Sequence, residues 1–209
     1  MLPWQHQYLA RVKPDYPWIY PTAFVDPATP PLVSTLETWR CQGFVGIGTV
    51  VHPETVESFV QILDEIWDWL VEHCWLVVTR FKGTSCSAWE KILSRHEFLH
   101  VAISHLGSAL RVAEPITIEA AQRTLENLFA LRRYHHVYVM LSGFYCATEP
   151  GHDYPHRQAW PYCEQMWEAF GSHRLLWGSE FTSCLDWVSF PQTFGCLRKC
   201  HFSIVQNVS

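Results

Sequence analysis

Along the chain, short runs of apolar, β-branched and aromatic residues alternate with longer segments in which apolar residues recur every three or four positions. A nearly continuous apolar run suits a strand covered on both faces, whereas the three-and-four spacing gathers apolar side chains into one helical stripe. Six runs are read as strands: Ile19–Val25, Phe44–Val51, Trp75–Phe81, Leu99–His105, His136–Leu141 and Arg174–Phe181. Between them, Glu54–His73 carries a stripe of Val56, Phe59, Val60, Leu63, Ile66, Trp67 and Leu70, and Pro53 with Glu54 and Glu57 marks its start. Thr117–Leu131 repeats the design with Ile118, Ala121, Leu125, Leu128 and Phe129. Shorter helices are expected over Pro31–Cys41, Ser87–Arg95, Pro161–Phe170 and Val188–Leu197.

Strand and helix in alternation predict βα units and a mostly parallel sheet, an α/β class. Each strand runs into a loop, as Val50-Val51 runs into His52-Pro53, and such loops are where stacked βα units carry chemistry. A closed barrel of eight units needs about 250 residues, and this chain has 209. Met1–Trp18, with three prolines and no sustained apolar alternation, does not read as a complete strand–helix unit. The expectation is one domain over residues 1–209, built as about six βα units.

Composition narrows the partners. A formal charge of −5 and a pI near 6.2 argue against a polyanion-binding surface, which needs clustered Lys and Arg. The one basic cluster, Arg132-Arg133 before Tyr134-His135-His136, sits where a helix C-terminus is expected. Nucleic acid and membrane are therefore not expected partners, since no window approaches the roughly 18 apolar residues of a membrane span. The eight cysteines lack the regular spacing of a small secreted scaffold and read as reduced, half-buried fillers. With no basic-then-apolar leader at Met1–Gln7, a cytoplasmic protein is expected.

Four stretches resemble the amidohydrolase-related family that contains sugar-lactone and dicarboxylate lactonases and non-oxidative decarboxylases. Tyr20–Pro27 resembles the family's early strand ending in Asp-Pro, and Gly43-Phe44-Val45-Gly46-Ile47 its Gly-x-x-Gly-Ile strand. Ile103-Ser104-His105-Leu106-Gly107 is similar to its Asp-His-Leu-Gly signature, with Ser104 in the aspartate's place. Val137–Gly143 and Phe170–Phe181 resemble its closing pair of strands, the second carrying Trp177-Gly178-Ser179-Glu180. The resemblance spans roughly residues 15–195 and implies a partial (β/α)8 barrel of the TIM type, in which the six strands stand for the family's third to eighth.

The resemblance also implies a divalent metal, zinc or manganese, and departs from the family at its ligands. No His-x-His occurs in the sequence, Thr79 or Arg80 stands where the fifth family strand ends in histidine, and Glu180 replaces the last aspartate. An arginine has no lone pair to offer a cation. His105 and Glu180 remain as candidate catalytic residues and candidate metal ligands, and Ser142, Tyr145 and Trp177 as candidate substrate-binding residues. From spacing alone, His105 is either a histidine hydrogen-bonded in the sheet rim or a general base or oxyanion stabiliser. Glu180 is either a paired acid at the rim or a ligand, and zinc needs about three protein ligands, so loss of the metal is the stronger expectation.

Other motifs carry less. His152-Asp153-Tyr154-Pro155-His156 places two histidines four apart, but Pro155 breaks the helix that would align them, and a surface loop shaping the pocket mouth is expected. Cys196-x-x-x-Cys200-His201 is too sparse for a structural zinc site. Most of the eleven tryptophans fall on helix stripes and strand ends and read as core filling, with Trp177 and Tyr145 near the mouth. The C-terminal stretch from Lys199 lacks the long helix with an Asn-Ala end seen in the family. Two functions are thus expected: a hydrolase, lactonase-like or decarboxylase-like, on a small carboxylated substrate, or a non-catalytic truncated homologue that self-associates as a homo-oligomer through unpaired edge strands such as Ile19–Val25.

Overall fold

The computed structural model describes residues 4–81 and 85–200. All six expected strands form, shortened at their ends: β1 (Thr22–Phe24), β2 (Gly46–Val51), β3 (Leu76–Phe81), β4 (His100–Ile103), β5 (Val137–Leu141) and β6 (Leu175–Trp177). They run in the order β1-β2-β3-β4-β5-β6 in one sheet, with parallel register between β1 and β2, β2 and β3, and β5 and β6. This is the α/β class that the alternating pattern predicts, in the partial (β/α)8 form that the resemblance implies. The chain divides into two compact units, residues 1–102 with 133–137, and residues 103–132 with 138–209.

In the first unit, the chain before β1 forms α1 (Trp4–Val12). It covers the edge that the sequence leaves unpaired: His6 Nε2 accepts the Phe24 backbone N–H at 3.1 Å, and the ring stands edge-on to Trp39 at 5.0 Å. An acceptor nitrogen must be unprotonated, and burial holds the His6 pKa below its ordinary value. A histidine on the edge of β1 thus does what a further strand would do.

The long helix expected over Glu54–His73 is broken. A 3₁₀ turn at Pro53–Thr55 leads into α3 (Val56–Val60), and a separate α4 spans Asp64–Glu72. Leu63 is extended (φ −60°, ψ 137°), and Asp64 and Glu65 supply the negative charge a helix start favours. The break serves the core: Phe59, Trp67 and Trp89 of α5 (Cys86–Leu93) meet in a triangle with ring centroids 4.8–6.0 Å apart. His96, buried, then ties α4 down by facing Asp64 and Asp68 at 3.1 Å each. Apolar periodicity locates a helical stripe but does not register a turn inserted into it.

In the second unit, α7 (Ile118–Ala130) packs against α9 (Trp160–Phe170), both close to their expected bounds. Thr117 caps α7, its Oγ1 accepting from the Ala120 N–H. Among the described residues the last helix is α10 (Phe190–Lys199); residues 201–209, His201 and the stretch expected to lack the family's terminal helix among them, lie outside the described residues. The loop at His152–His156 corrects the sequence reading. His152 and Asp153 are exposed, but His156 is fully buried, its Nδ1 2.8 Å from Thr148 Oγ1 and its ring over Phe144. Burial drives its pKa down to about 4, so it is a neutral core histidine. Among the described residues, no helix is long and apolar enough to cross a membrane.

Candidate functional site

Three strand ends in the second unit meet through one serine. β4 stops at Ile103 and the chain enters Ser104–Ser108, labelled α6, in which His105 (φ 55°), Leu106 (φ 50°), Gly107 (φ 61°) and Ser108 (φ 64°) all take the left-handed conformation. For the non-glycine residues this costs about 1 kcal/mol or more each, and such strain persists where surrounding structure over-determines it. Here Leu106 is fully buried, and a Cβ on Gly107 would run into Leu128. The His105 backbone N–H donates to Ser142 Oγ at 3.0 Å, just past the end of β5.

The same Ser142 hydroxyl donates to Glu180 Oε1 at 2.8 Å, and the other carboxylate oxygen lies 3.2 Å from His105 Nε2. Glu180, just past β6, is itself left-handed (φ 50°). The His105 and Glu180 side chains are 17% and 23% exposed and Ser142 is fully buried, so the interaction is largely shielded from solvent. Gly143 (φ 67°) leaves room for the ring, since a Cβ there would stand 2.8 Å from His105 Nδ1.

Cys146 lies nearby in the single turn α8 (Phe144–Ala147) and is exposed. Burial pushes the His105 pKa down, but the influence of Cys146 and of the Glu180 carboxylate outweighs burial and carries it up to about 9. Burial first and the Cys146 charge second raise Tyr145, which stays a neutral O–H donor. The ring is therefore cationic at neutral pH, which suits it to stabilise negative charge rather than to accept a proton.

Of the expected site residues, His105, Ser142 and Glu180 come together and Tyr145 stands beside them. Trp177 does not join them. Its Nε1 donates to Thr193 O at 3.3 Å, and its ring stands edge-on to Phe190 (6.2 Å) and Phe194 (5.3 Å) of α10. A cavity of about 10 Å³ lined by Gly143, Tyr145, His156, Gly178, Ser179 and Val188 adjoins the cluster and has room for about one water. A larger groove of about 500 Å³ lies along α7 and α9, and His105, Ser142, Cys146 and Glu180 do not line it.

The donor set does not fit a resident zinc or manganese. His105 and Glu180 are spent on each other, and no group of three or more His, Cys, Asp or Glu among the described residues converges so as to hold a metal. Thr79, at the strand position where the resemblance implies a histidine, is buried, and Arg80 beside it is exposed.

Solved structures of similar fold include amidohydrolases. An amidohydrolase from Burkholderia multivorans, solved with bound zinc, is 18% identical, with a TM-score of 0.72 over 93% of this chain and 70% of its own. A probable 2-pyrone-4,6-dicarboxylic acid hydrolase from Acinetobacter baumannii with citric acid bound is 16% identical, with a TM-score of 0.70 over 93% of this chain and 71% of its own. Amidohydrolase 2 from Bifidobacterium longum subsp. infantis is 16% identical, with a TM-score of 0.58 over 92% and 67%. No curated protein sequence matches the chain significantly. The family model for amidohydrolases matches residues 4–193, nearly the whole chain, and the chain belongs to that family.

Proposed function

We propose that the chain is a hydrolase that opens a small lactone or ester at the rim where β4, β5 and β6 end. The observation that carries this is the joining of His105, Ser142 and Glu180 across 37 and 38 residues of sequence. In this reading Glu180 holds the imidazolium, Ser142 fixes both, and His105 faces the oxygen on which negative charge develops as the carbonyl is attacked. No step runs through a metal, because the donor set does not fit one. The similarity to a 2-pyrone-4,6-dicarboxylic acid hydrolase supports a lactone, and through it a carboxylated one. The His105 charge, already balanced by Glu180, suits a neutral ring equally.

The test is a panel of small lactones and esters, 2-pyrone-4,6-dicarboxylate among them, with His105→Asn and Glu180→Gln alongside. Turnover that falls at least 100-fold in both folded variants is expected; a panel with no turnover, or variants as active as the parent, refutes the reading. A second reading, a non-catalytic self-associating protein, draws support from β6. This edge strand leaves Leu176 and Trp177 39% and 37% exposed. Sedimentation showing a dimer that Trp177→Lys dissolves, with no turnover, would favour it.

A further inference from the structure

We infer that His156 is the general base of this site, its Nε2 drawing the proton from a water seated in the small cavity beside the His105, Ser142 and Glu180 cluster. The inference rests on the reading of this rim as a lactone- or ester-opening site and deepens it, since that reading leaves the attacking water without a base. Thr148 fixes the state of the ring. Its single hydroxyl proton goes to Phe144 O at 3.1 Å, so at its 2.8 Å contact with His156 Nδ1 the hydroxyl accepts and Nδ1 carries the hydrogen. Nε2 is then a bare lone pair, fully buried with the rest of the side chain and without a hydrogen-bond partner. A buried acceptor left alone is costly and calls for a partner. His156 lines the cavity of about 10 Å³ together with Ser179, whose hydroxyl accepts from the Phe181 N–H at 3.2 Å and keeps its own proton to give. One water there donates to His156 Nε2 and accepts from Ser179. Gly143 and Gly178 also line the cavity, and a Cβ on them would stand 2.8 Å from His105 Nδ1 and 2.9 Å from Ser142 Cβ respectively. The cavity therefore shares a wall with the groups that face the developing oxyanion.

The chemistry balances with water as the one co-reactant. The water oxygen attacks the carbonyl carbon of a lactone or ester while one of its protons passes to His156 Nε2; a C–O bond forms and the carbonyl π pair moves onto the oxygen that faces His105. The tetrahedral oxyanion collapses, the C–O bond to the leaving oxygen breaks, and that alkoxide takes the proton from His156. A lactone thus becomes a hydroxy acid and the imidazole is returned neutral. The titratable groups around the ring are Tyr145 and Cys196 on the cavity wall and Asp153 in its own loop. Burial keeps the first two protonated and neutral, with Cys196 pushed up to about 12. Burial also outweighs the Asp153 charge at His156, so the base is unprotonated at neutral pH and returns its proton readily.

His156→Asn separates packing from proton transfer, because its amide N–H can still donate to Thr148 while nothing replaces Nε2 in the cavity. Turnover of the lactones and esters by the folded full-length variant is expected to fall about 100-fold or more, with KM little changed. In the parent, kcat/KM is expected to decline as pH falls towards 4, a limb absent from the variant, which loss of packing alone would not remove. Should His156→Asn fail to fold, nitrogen-15 imidazole spectra of the parent at pH 7 decide. Hydrogen on Nδ1 and none on Nε2 is expected, with magnetisation passing from a bound water to the ring protons. Hydrogen on Nε2, or no bound water beside the ring, overturns the inference. Turnover that is lost in His105→Asn and Glu180→Gln but stays within about threefold of the parent in folded His156→Asn overturns the base while leaving the hydrolase reading intact. A parent that turns over no lactone or ester refutes that reading and the base with it.

Discussion

Replacing Ser142 by Ala tests whether one hydroxyl ties the strand ends together. The side chain is fully buried, donates to the Glu180 carboxylate at 2.8 Å and accepts from the His105 N–H at 3.0 Å. Alanine removes little volume but leaves a shielded N–H without its acceptor and takes one donor from a carboxylate. A hydrogen bond to a charged group is worth about 1.5–3 kcal/mol, and a buried unsatisfied donor costs about 1–3 kcal/mol. Because the two losses share one environment they do not simply add, and a loss of about 2–4 kcal/mol is expected. With a urea slope of about 2 kcal/mol/M, that moves the unfolding midpoint by roughly 1–2 M. Tryptophan fluorescence in a urea series reads the midpoint, and Ser94→Ala is the control, its exposed hydroxyl donating only to Lys91 O. A Ser142→Ala midpoint within that of Ser94→Ala, about 0.5 kcal/mol or less from the parent, would refute the bridging role.

Three further outcomes follow from other contacts. His156, with a pKa of about 4 in the fold against 6.5 when unfolded, contributes stability that is fully present above about pH 6.5 and declines as pH falls towards 4; that gap amounts to about 3 kcal/mol, which pH-dependent urea unfolding of parent and His156→Asn should show in the parent alone. Gly143→Ala, at φ 67° with its Cβ 2.8 Å from His105 Nδ1, should cost about 1–3 kcal/mol and displace the ring, seen as a lower melting temperature together with a changed His105 imidazole titration by NMR. His6→Ala should remove about 1 kcal/mol and speed amide exchange of Phe24, whose N–H it leaves open at the edge of β1; unchanged exchange would show that α1 does not guard that edge.

How much of this was legible without coordinates varies by element. The strand runs survive because a strand covered on both faces must be apolar along its length, a demand every residue records locally. For the same reason α7 and α9 lie within one or two residues of their expected bounds. The rim was half legible: His105 and Glu180 follow strand ends, so a common edge was predictable once the strands were parallel. The bridge between them was not, because Ser142 lies 37 and 38 positions from the two residues it joins.

The sequence by itself determined the alternation of strand and helix and the parallel order that such alternation enforces, since both are written in local composition. Tertiary structure decided the rest: the left-handed turn at His105, the break between α3 and α4, the burial of His156, and the removal of Trp177 from the rim to the side of α10. The physical reason is common to all four. Each is a backbone or side-chain state that is unfavourable or indifferent locally and is selected by partners distant in sequence, whose identity no window of neighbouring residues contains.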